Sequence, residues 1–371
     1  MRLRIAVAMA ATTVVGAGTA ALAAGRYGSG FALKPSVAGP ARGPKAGVVG
    51  LSRDQVTLSR SVATMRPGVW GLVGVGAHAT VGRVVETTPS SVTRRLLRVD
   101  KGALGVGDLV RLTPQVYTGD PGSALALDFT EVTVAGELGP LPAWFVPGDR
   151  ATWVIVVHGV GATREHALNV VPVLHRFRLP QLVVSYRNDP GAPASPDGLG
   201  HLGATEWRDL DAAMRYAAGQ GAERIVLYGW STGATMALRA LHESAVRDRV
   251  AGLVLDSPVL DWRSTVRAAA TQRGLPAPLT PLAVRAAEGR AGSYAAKQGD
   301  VADPRRLTAP ALLVHGPDDT FASWDATRRL AERRPDLVAL HTVPGAPHAA
   351  MWNVDPDGYE ETLRRFLTPL M

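Results

Sequence analysis

The chain contains no cysteine. That excludes disulfides, thiolate metal sites and cysteine nucleophiles together. It leaves the compartment open, because an exported protein can do without disulfides. Long runs of one charge are missing too. The net charge is +8, with 40 Lys and Arg against 32 Asp and Glu, but the basic residues are scattered and mostly arginine. The densest pairs, Arg94-Arg95, Arg305-Arg306, Arg333-Arg334 and Arg364-Arg365, are short and far apart. No zinc-ligand spacing and no aromatic RNA-binding signature accompanies them, so no nucleic-acid partner is expected. The charge reads as composition bias. Nothing in the composition marks a disordered or fibrous chain. With 371 residues, 46% of them hydrophobic, there is material for a sizeable core, in two units or in one large unit with extensions.

The first residues carry a targeting pattern. Met1-Arg2-Leu3-Arg4 is a basic start, and Ile5 to Ala24 is uncharged and ends in Ala21-Leu22-Ala23-Ala24. This fits a secretory signal with a small-residue cleavage site. At about 20 residues it also suffices for one membrane span. Basic residues on its amino side place that end in the cytoplasm under either reading. The rest of the chain is therefore expected outside the cytoplasm, released or tethered to the membrane through residues 1–24.

Residues 25–50, rich in Gly, Ala and Pro, read as a linker. From 51 to 125 the pattern is one of short β-like runs, Val69 to Val75, Ala79 to Glu86 and Ser91 to Val99, separated by turns. This predicts a small β-rich module. Its lone His78 reads as a structural residue. From 126 onward a hairpin (Phe129 to Leu138, Ala143 to Val146) precedes six apolar runs: Trp153 to Val157, Leu182 to Tyr186, Ile225 to Tyr228, Leu253 to Leu255, Ala311 to Val314 and Leu337 to Val343. Continuous apolar runs suit strands covered on both faces. Helical segments such as Glu206 to Gln220 and Thr232 to Ser244 lie between them. The order predicts a doubly wound, mostly parallel α/β sheet spanning 126–371, with chemistry at the carboxyl ends of its strands. A stretch with helical pieces and prolines, 261–305, is a candidate short lid.

Four motifs follow apolar runs. Gly229-Trp230-Ser231-Thr232-Gly233 sits between a strand-like run and a helical one. Small residues on either side of a serine permit a sharp strand-to-helix turn that exposes its hydroxyl, with the helix N-terminus behind it facing developing negative charge. His158-Gly159-Val160-Gly161 follows the first apolar run of the domain. His315-Gly316-Pro317-Asp318-Asp319 follows the fifth, where an acid can orient a histidine, although Pro-Asp-Asp-Thr is also ordinary turn chemistry. Gly345-Ala346-Pro347-His348 follows the last.

GWSTG, HGVG, HGPDD and GAPH in these positions resemble the α/β-hydrolase superfamily, and the order Ser, acid, His is that of its triad. SYRNDPGAP, EWRDLDAAMRYA, LVLDSPVLDW and HAAMWNVDPDGYE resemble actinobacterial membrane-associated or exported members near the dienelactone-hydrolase and serine-peptidase-like branches. The resemblance covers Phe129 to the C-terminus. It departs in having Thr232-Gly233-Ala234 where such proteins often carry Met-Gly-Gly, although the glycine required by the turn remains. The resemblance implies catalysis by Ser231, Asp319 and His348, with backbone N–H groups of Val160 and Thr232 forming the oxyanion hole. Asp256 and Asp318 also follow strand-like runs and compete with Asp319. Asp319 stands four residues after His315, as in the family's acid loop, whereas Ser257-Pro258 leads the chain away from Asp256.

The expected chemistry is acyl transfer from a small-molecule ester, thioester or amide to water. Neither metal nor organic cofactor is implied. An acyltransferase with a non-water acceptor and a serine peptidase are alternatives. A non-catalytic binding protein on the same fold is a further one, disfavoured by the intact set of three residues. Tyr186-Arg187-Asn188-Asp189, on the catalytic edge, reads as loop positioning or as a polar turn braced by Arg–Asp pairing. Trp230, Trp324 and Trp352 read as packing beside the motifs.

Overall fold

A computed structural model describes residues 44–272, 274–291 and 299–371. The signal or anchor expected at 1–24, and most of the expected linker, lie outside the described residues.

The first unit is a closed antiparallel barrel of six strands: β1 (Ala46–Leu51), β2 (Gln55–Ser59), β3 (Trp70–Val73), β4 (His78–Thr87), β5 (Ser91–Lys101) and β6 (Leu109–Thr113). The order around it is β1-β2-β5-β4-β3-β6, closed by pairing of β1 with β6. The barrel thus begins five residues before the end of the expected linker. Alternation sends Val48, Val56, Leu58, Leu72, Ala79, Val81 and Val110 inward. His78 is structural: its Nδ1 bonds Asp100 at 2.8 Å.

The second unit is an eight-stranded sheet: β7 (Thr130–Ala135), β8 (Pro140–Val146), β9 (Thr152–Val157), β10 (Gln181–Val184), β11 (Arg224–Trp230), β12 (Val250–Asp256), β13 (Ala311–His315) and β14 (Val338–Thr342). Its order is β14-β13-β12-β11-β9-β10-β8-β7. Only β8 runs against its neighbours; the rest are parallel to one another. Helices α1 (Trp207–Gly219), α2 (Thr232–Glu243) and α5 (Trp324–Arg333) cover one face, and α6 (Pro356–Leu367) covers the other. Every residue of β9 is buried, as the unbroken apolar run requires. The chain goes from β9 to β10 on one side, then to β11 on the other. The switch point therefore lies at the carboxyl ends of β9 and β11, where such sheets bind ligands.

The expected lid segment holds α3 (Trp262–Gln272) and α4 (Thr280–Ala291). Trp262, Val266 and Val284 pack with Leu202 and Phe321 over the catalytic edge.

Candidate active site

Ser231 sits between β11 and α2 with φ 54° and ψ −116°. A non-glycine residue in this region is strained, and the surrounding packing enforces it. A Cβ on Gly229 would lie 2.4 Å from the Gly233 carbonyl carbon, and one on Gly233 2.4 Å from the Val157 oxygen. Both glycines are therefore dictated by backbone approach. Among the described residues the Ser231 side chain has one hydrogen-bond partner: its Oγ lies 2.7 Å from His348 Nε2. His348 Nδ1 lies 2.7 Å from Asp319 Oδ2. With Nδ1–H donating to the carboxylate, Nε2 is free to accept from the serine hydroxyl.

Asp319 is tied down on all sides. Its Oδ1 accepts from the backbone N–H groups of Phe321 (2.7 Å) and Ala322 (2.9 Å). Its Oδ2 also meets His315 Nε2 at 2.9 Å, and Thr327 Oγ1 bonds His315 Nδ1 at 2.8 Å. Burial works against ionisation here. Facing His348, together with the hydrogen bonds from His315 and His348, outweighs it and holds the Asp319 carboxyl well below the usual carboxylate range. Asp318 is exposed, and its Oδ2 accepts from Gly345 N–H. Asp256 is fully buried at the end of β12. It bonds Ser257 Oγ (2.7 Å) and Tyr359 Oη (2.9 Å).

Comparison with known proteins agrees with this architecture. Residues 196–368 match the prolyl oligopeptidase family. Residues 47–113 match a domain of unknown function (DUF8805), which coincides with the barrel. The uncharacterized protein YqkD of Bacillus subtilis is 25% identical over 229 residues, covering 60% of this chain and 72% of its own. The Pyrococcus furiosus esterase Pf2001 superposes with a TM-score of 0.54 at 21% identity, covering 68% of this chain and 94% of the esterase. The chain is an α/β-hydrolase.

In this α/β-hydrolase the β9 loop lies against the serine. A Cβ on Gly159 would lie 2.7 Å from Ser231 Cβ, so glycine is required there. Val160 N–H donates to Thr232 Oγ1 at 2.9 Å. The two residues expected to bind an oxyanion are thus adjacent, and the Thr232 hydroxyl occupies the Val160 donor. His158 anchors the loop. Its ring nitrogens face Asp189 Oδ2 (2.8 Å) and Gly159 O (2.9 Å). Burial disfavours its charge, but Asp189 and these hydrogen bonds prevail and raise its pKa. The Arg–Asp pairing expected within Tyr186-Arg187-Asn188-Asp189 is replaced by long-range pairs, one of them from Arg187 to Glu137 at 3.1 Å. Asp189 takes His158, and Arg187 pairs with Asp209 at 2.8 Å.

Trp230 is buried and stacked on His166, and Trp324 meets His315 edge-on. Among the described residues, neither lines the cleft at Ser231. That cleft, about 290 Å³, is walled on one side by Gly159, Val160, Phe321, Pro347 and His348. The barrel supplies the other wall through Arg66, Trp70, Leu112, Pro114 and Gln115. Sequence reasoning assigned nothing to these barrel residues. No local pattern marks them, because only the docking of two units brings them to the serine.

The docking is specific. Asn353 Nδ2 donates to Val69 O (2.9 Å) and Pro114 O (2.8 Å), and Val69 N–H donates to Asn353 O (2.8 Å). Ala350, two residues after His348, packs into the barrel core. The barrel therefore braces the loop that carries His348.

Proposed function

We propose that this α/β-hydrolase cleaves esters through an acyl-enzyme on Ser231. The observation that carries the reading is the hydrogen-bonded series Ser231–His348–Asp319, with both links at 2.7 Å. His348 takes the Ser231 proton as the hydroxyl attacks the carbonyl carbon, and then protonates the departing alcohol. In the second half it deprotonates water, which displaces the serine. Asp319 keeps Nδ1 protonated and stabilises the imidazolium. The Thr232 N–H at the start of α2 and the Val160 N–H receive the oxyanion. Each such donor lowers the barrier by on the order of 3 kcal/mol. For Val160 this requires the Thr232 hydroxyl to give way to the substrate oxygen.

Esters are easier substrates than amides, so carboxylesterase activity is the first expectation. The match of residues 196–368 to the prolyl oligopeptidase family favours peptidase activity as the second reading. A panel of chromogenic esters from acetyl to palmitoyl, run beside aminoacyl amides, separates the two. Ester turnover well above amide turnover supports the first reading, and the reverse supports the second. We further propose that residues 1–24 deliver the hydrolase to the outside of the cytoplasm. No helix among the described residues is long and apolar enough to cross a membrane. Fractionation of the native host should find the chain in membrane or medium. Recovery of the full-length chain from the cytosol would contradict this.

A further inference from the structure

Arg66 stands in the cleft with no carboxylate partner among the described residues. It is half-buried and lines the same cavity as Ser231 and His348. Its guanidinium carbon lies 5.8 Å from the centroid of the buried Trp70 ring. No Asp or Glu is among the described lining residues. Glu165, beyond Gln115, is already engaged by Gln115 Nε2 (2.7 Å), Gly119 N–H (2.7 Å) and Thr118 Oγ1 (3.2 Å). Burial pulls the Arg66 guanidinium below the usual arginine value. A partly desolvated, unpaired cation is unfavourable for the fold.

The barrel nonetheless holds Arg66 in place at some structural cost. Arg94 is fully buried beneath its loop. It donates to Thr64 O (3.0 Å), Arg66 O (2.6 Å) and Gly68 O (2.9 Å), as well as to Gly82 O in β4 (2.9 Å). Gly68 at the end of the loop has φ +81°, and a Cβ there would lie 1.9 Å from Asn353 O. The loop is thus clamped from below by Arg94 and at its end by Asn353. Leu112, Pro114, Phe321 and Pro347 supply apolar walls, and such surroundings strengthen a charge-assisted contact.

We infer that Arg66 is a specificity residue that selects esters carrying an anionic group, a carboxylate or a phosphate, on the acyl or the alcohol portion. The inference rests on the reading of Ser231 as nucleophile. The anion would take the fork of Arg66 donors, which suits both carboxylate and phosphate, and would neutralise a charge that has no carboxylate partner among the described residues.

The test is a ratio of kcat/KM values measured with the full chain. On the acyl side, mono-para-nitrophenyl adipate is compared with para-nitrophenyl hexanoate. On the alcohol side, para-acetoxybenzoate and para-acetoxyphenyl phosphate are each compared with para-acetoxybenzamide, which distinguishes the two anions. Each ratio is internal to one protein, so partial misfolding of a variant cancels. In at least one arm, Arg66→Gln should lower the anionic-to-neutral ratio about tenfold or more, the size of one charge-assisted contact. The loss should fall mainly on KM. Arg66→Lys should recover part of it. Arg95→Gln, on the outer surface of the barrel, should leave the ratio at the wild-type value. Equal ratios for wild type and Arg66→Gln in every arm overturn the inference while leaving the esterase reading intact. A wild-type protein that turns over none of these esters and takes no fluorophosphonate label overturns both.

Discussion

His348 Nδ1 is bonded to Asp319 Oδ2 at 2.7 Å, while Asp256, buried one strand away, is engaged by Ser257 and Tyr359. Two strand-end acids therefore stand behind one histidine, and only one is hydrogen-bonded to it. If Asp319 orients the imidazole, Asp319→Asn should lower kcat by roughly 10⁴ with little change in substrate binding. Asp318→Asn and Asp256→Asn should stay within about tenfold of wild type, roughly 1.4 kcal/mol of barrier. Steady-state kinetics on the three variants decides it. A large loss confined to Asp256→Asn would move the acid to β12.

Asp256 should reveal itself in stability instead. Burial raises its pKa to about 7, against the opposing pull of its hydrogen bonds with Ser257 and Tyr359. An acid whose folded pKa exceeds its unfolded value stabilises the fold fully below the unfolded pKa, and that contribution is lost as pH rises through the folded pKa. Asparagine keeps the shape without titrating. The stability of Asp256→Asn relative to wild type should therefore rise between about pH 4 and about pH 7, by a few kcal/mol, and then level off. Buried His166, pushed down to about 3, gives a slope of opposite sign in both proteins and cancels in the difference. Urea unfolding across this range is the measurement, and a flat difference contradicts the account.

The barrel clamp predicts a second stability effect. Arg94→Leu strands four carbonyl groups that now accept from the guanidinium. The expected loss is about 3 kcal/mol or more. Arg94→Lys should recover only part, since an ammonium cannot reproduce the planar fork. Thermal melts compare the two. Because the same loop carries Arg66, ester KM should change in Arg94→Leu even at temperatures where the protein is folded.

The hydroxyl of Thr232 holds the Val160 N–H at 2.9 Å. If that N–H serves the oxyanion, the hydroxyl competes with the substrate oxygen. Thr232→Val should then leave kcat within about tenfold of wild type or raise it, because both backbone donors remain. A loss of 10² or more, on the scale of a deleted oxyanion donor, would mean that the hydroxyl itself is needed.

The sheet was legible in the sequence because its central strands are covered on both faces. Val154 to Val157 and Leu253 to Leu255 are buried without exception, and such runs need no tertiary knowledge to be read. The motifs were legible because Gly229 answers a backbone approach within its own turn, while Gly233 answers the approach of β9. The barrel was half legible. β1 starts inside the Gly-, Ala- and Pro-rich stretch, β2 mixes polar with apolar residues, and β6 carries Arg111 among its apolar residues, so composition alone did not mark them as strands. Arg94 and Arg95 read only as one short basic pair, yet β5 buries the first and exposes the second. The ion-pair partners of Arg187 and Asp189 lie elsewhere in the chain, which no turn rule supplies. The second histidine on Asp319, His315, was visible as a motif residue but not as a hydrogen-bond partner. The second wall of the cleft depends wholly on how barrel and sheet dock.

The central claim is that Ser231 is the nucleophile, and covalent labelling tests it most directly. A fluorophosphonate probe should modify the wild-type chain at Ser231, identified by peptide mass. Ser231→Ala should lose both the label and ester turnover while keeping the wild-type circular dichroism spectrum. A label that persists on the folded Ser231→Ala protein, or ester turnover that survives in it, would contradict the account.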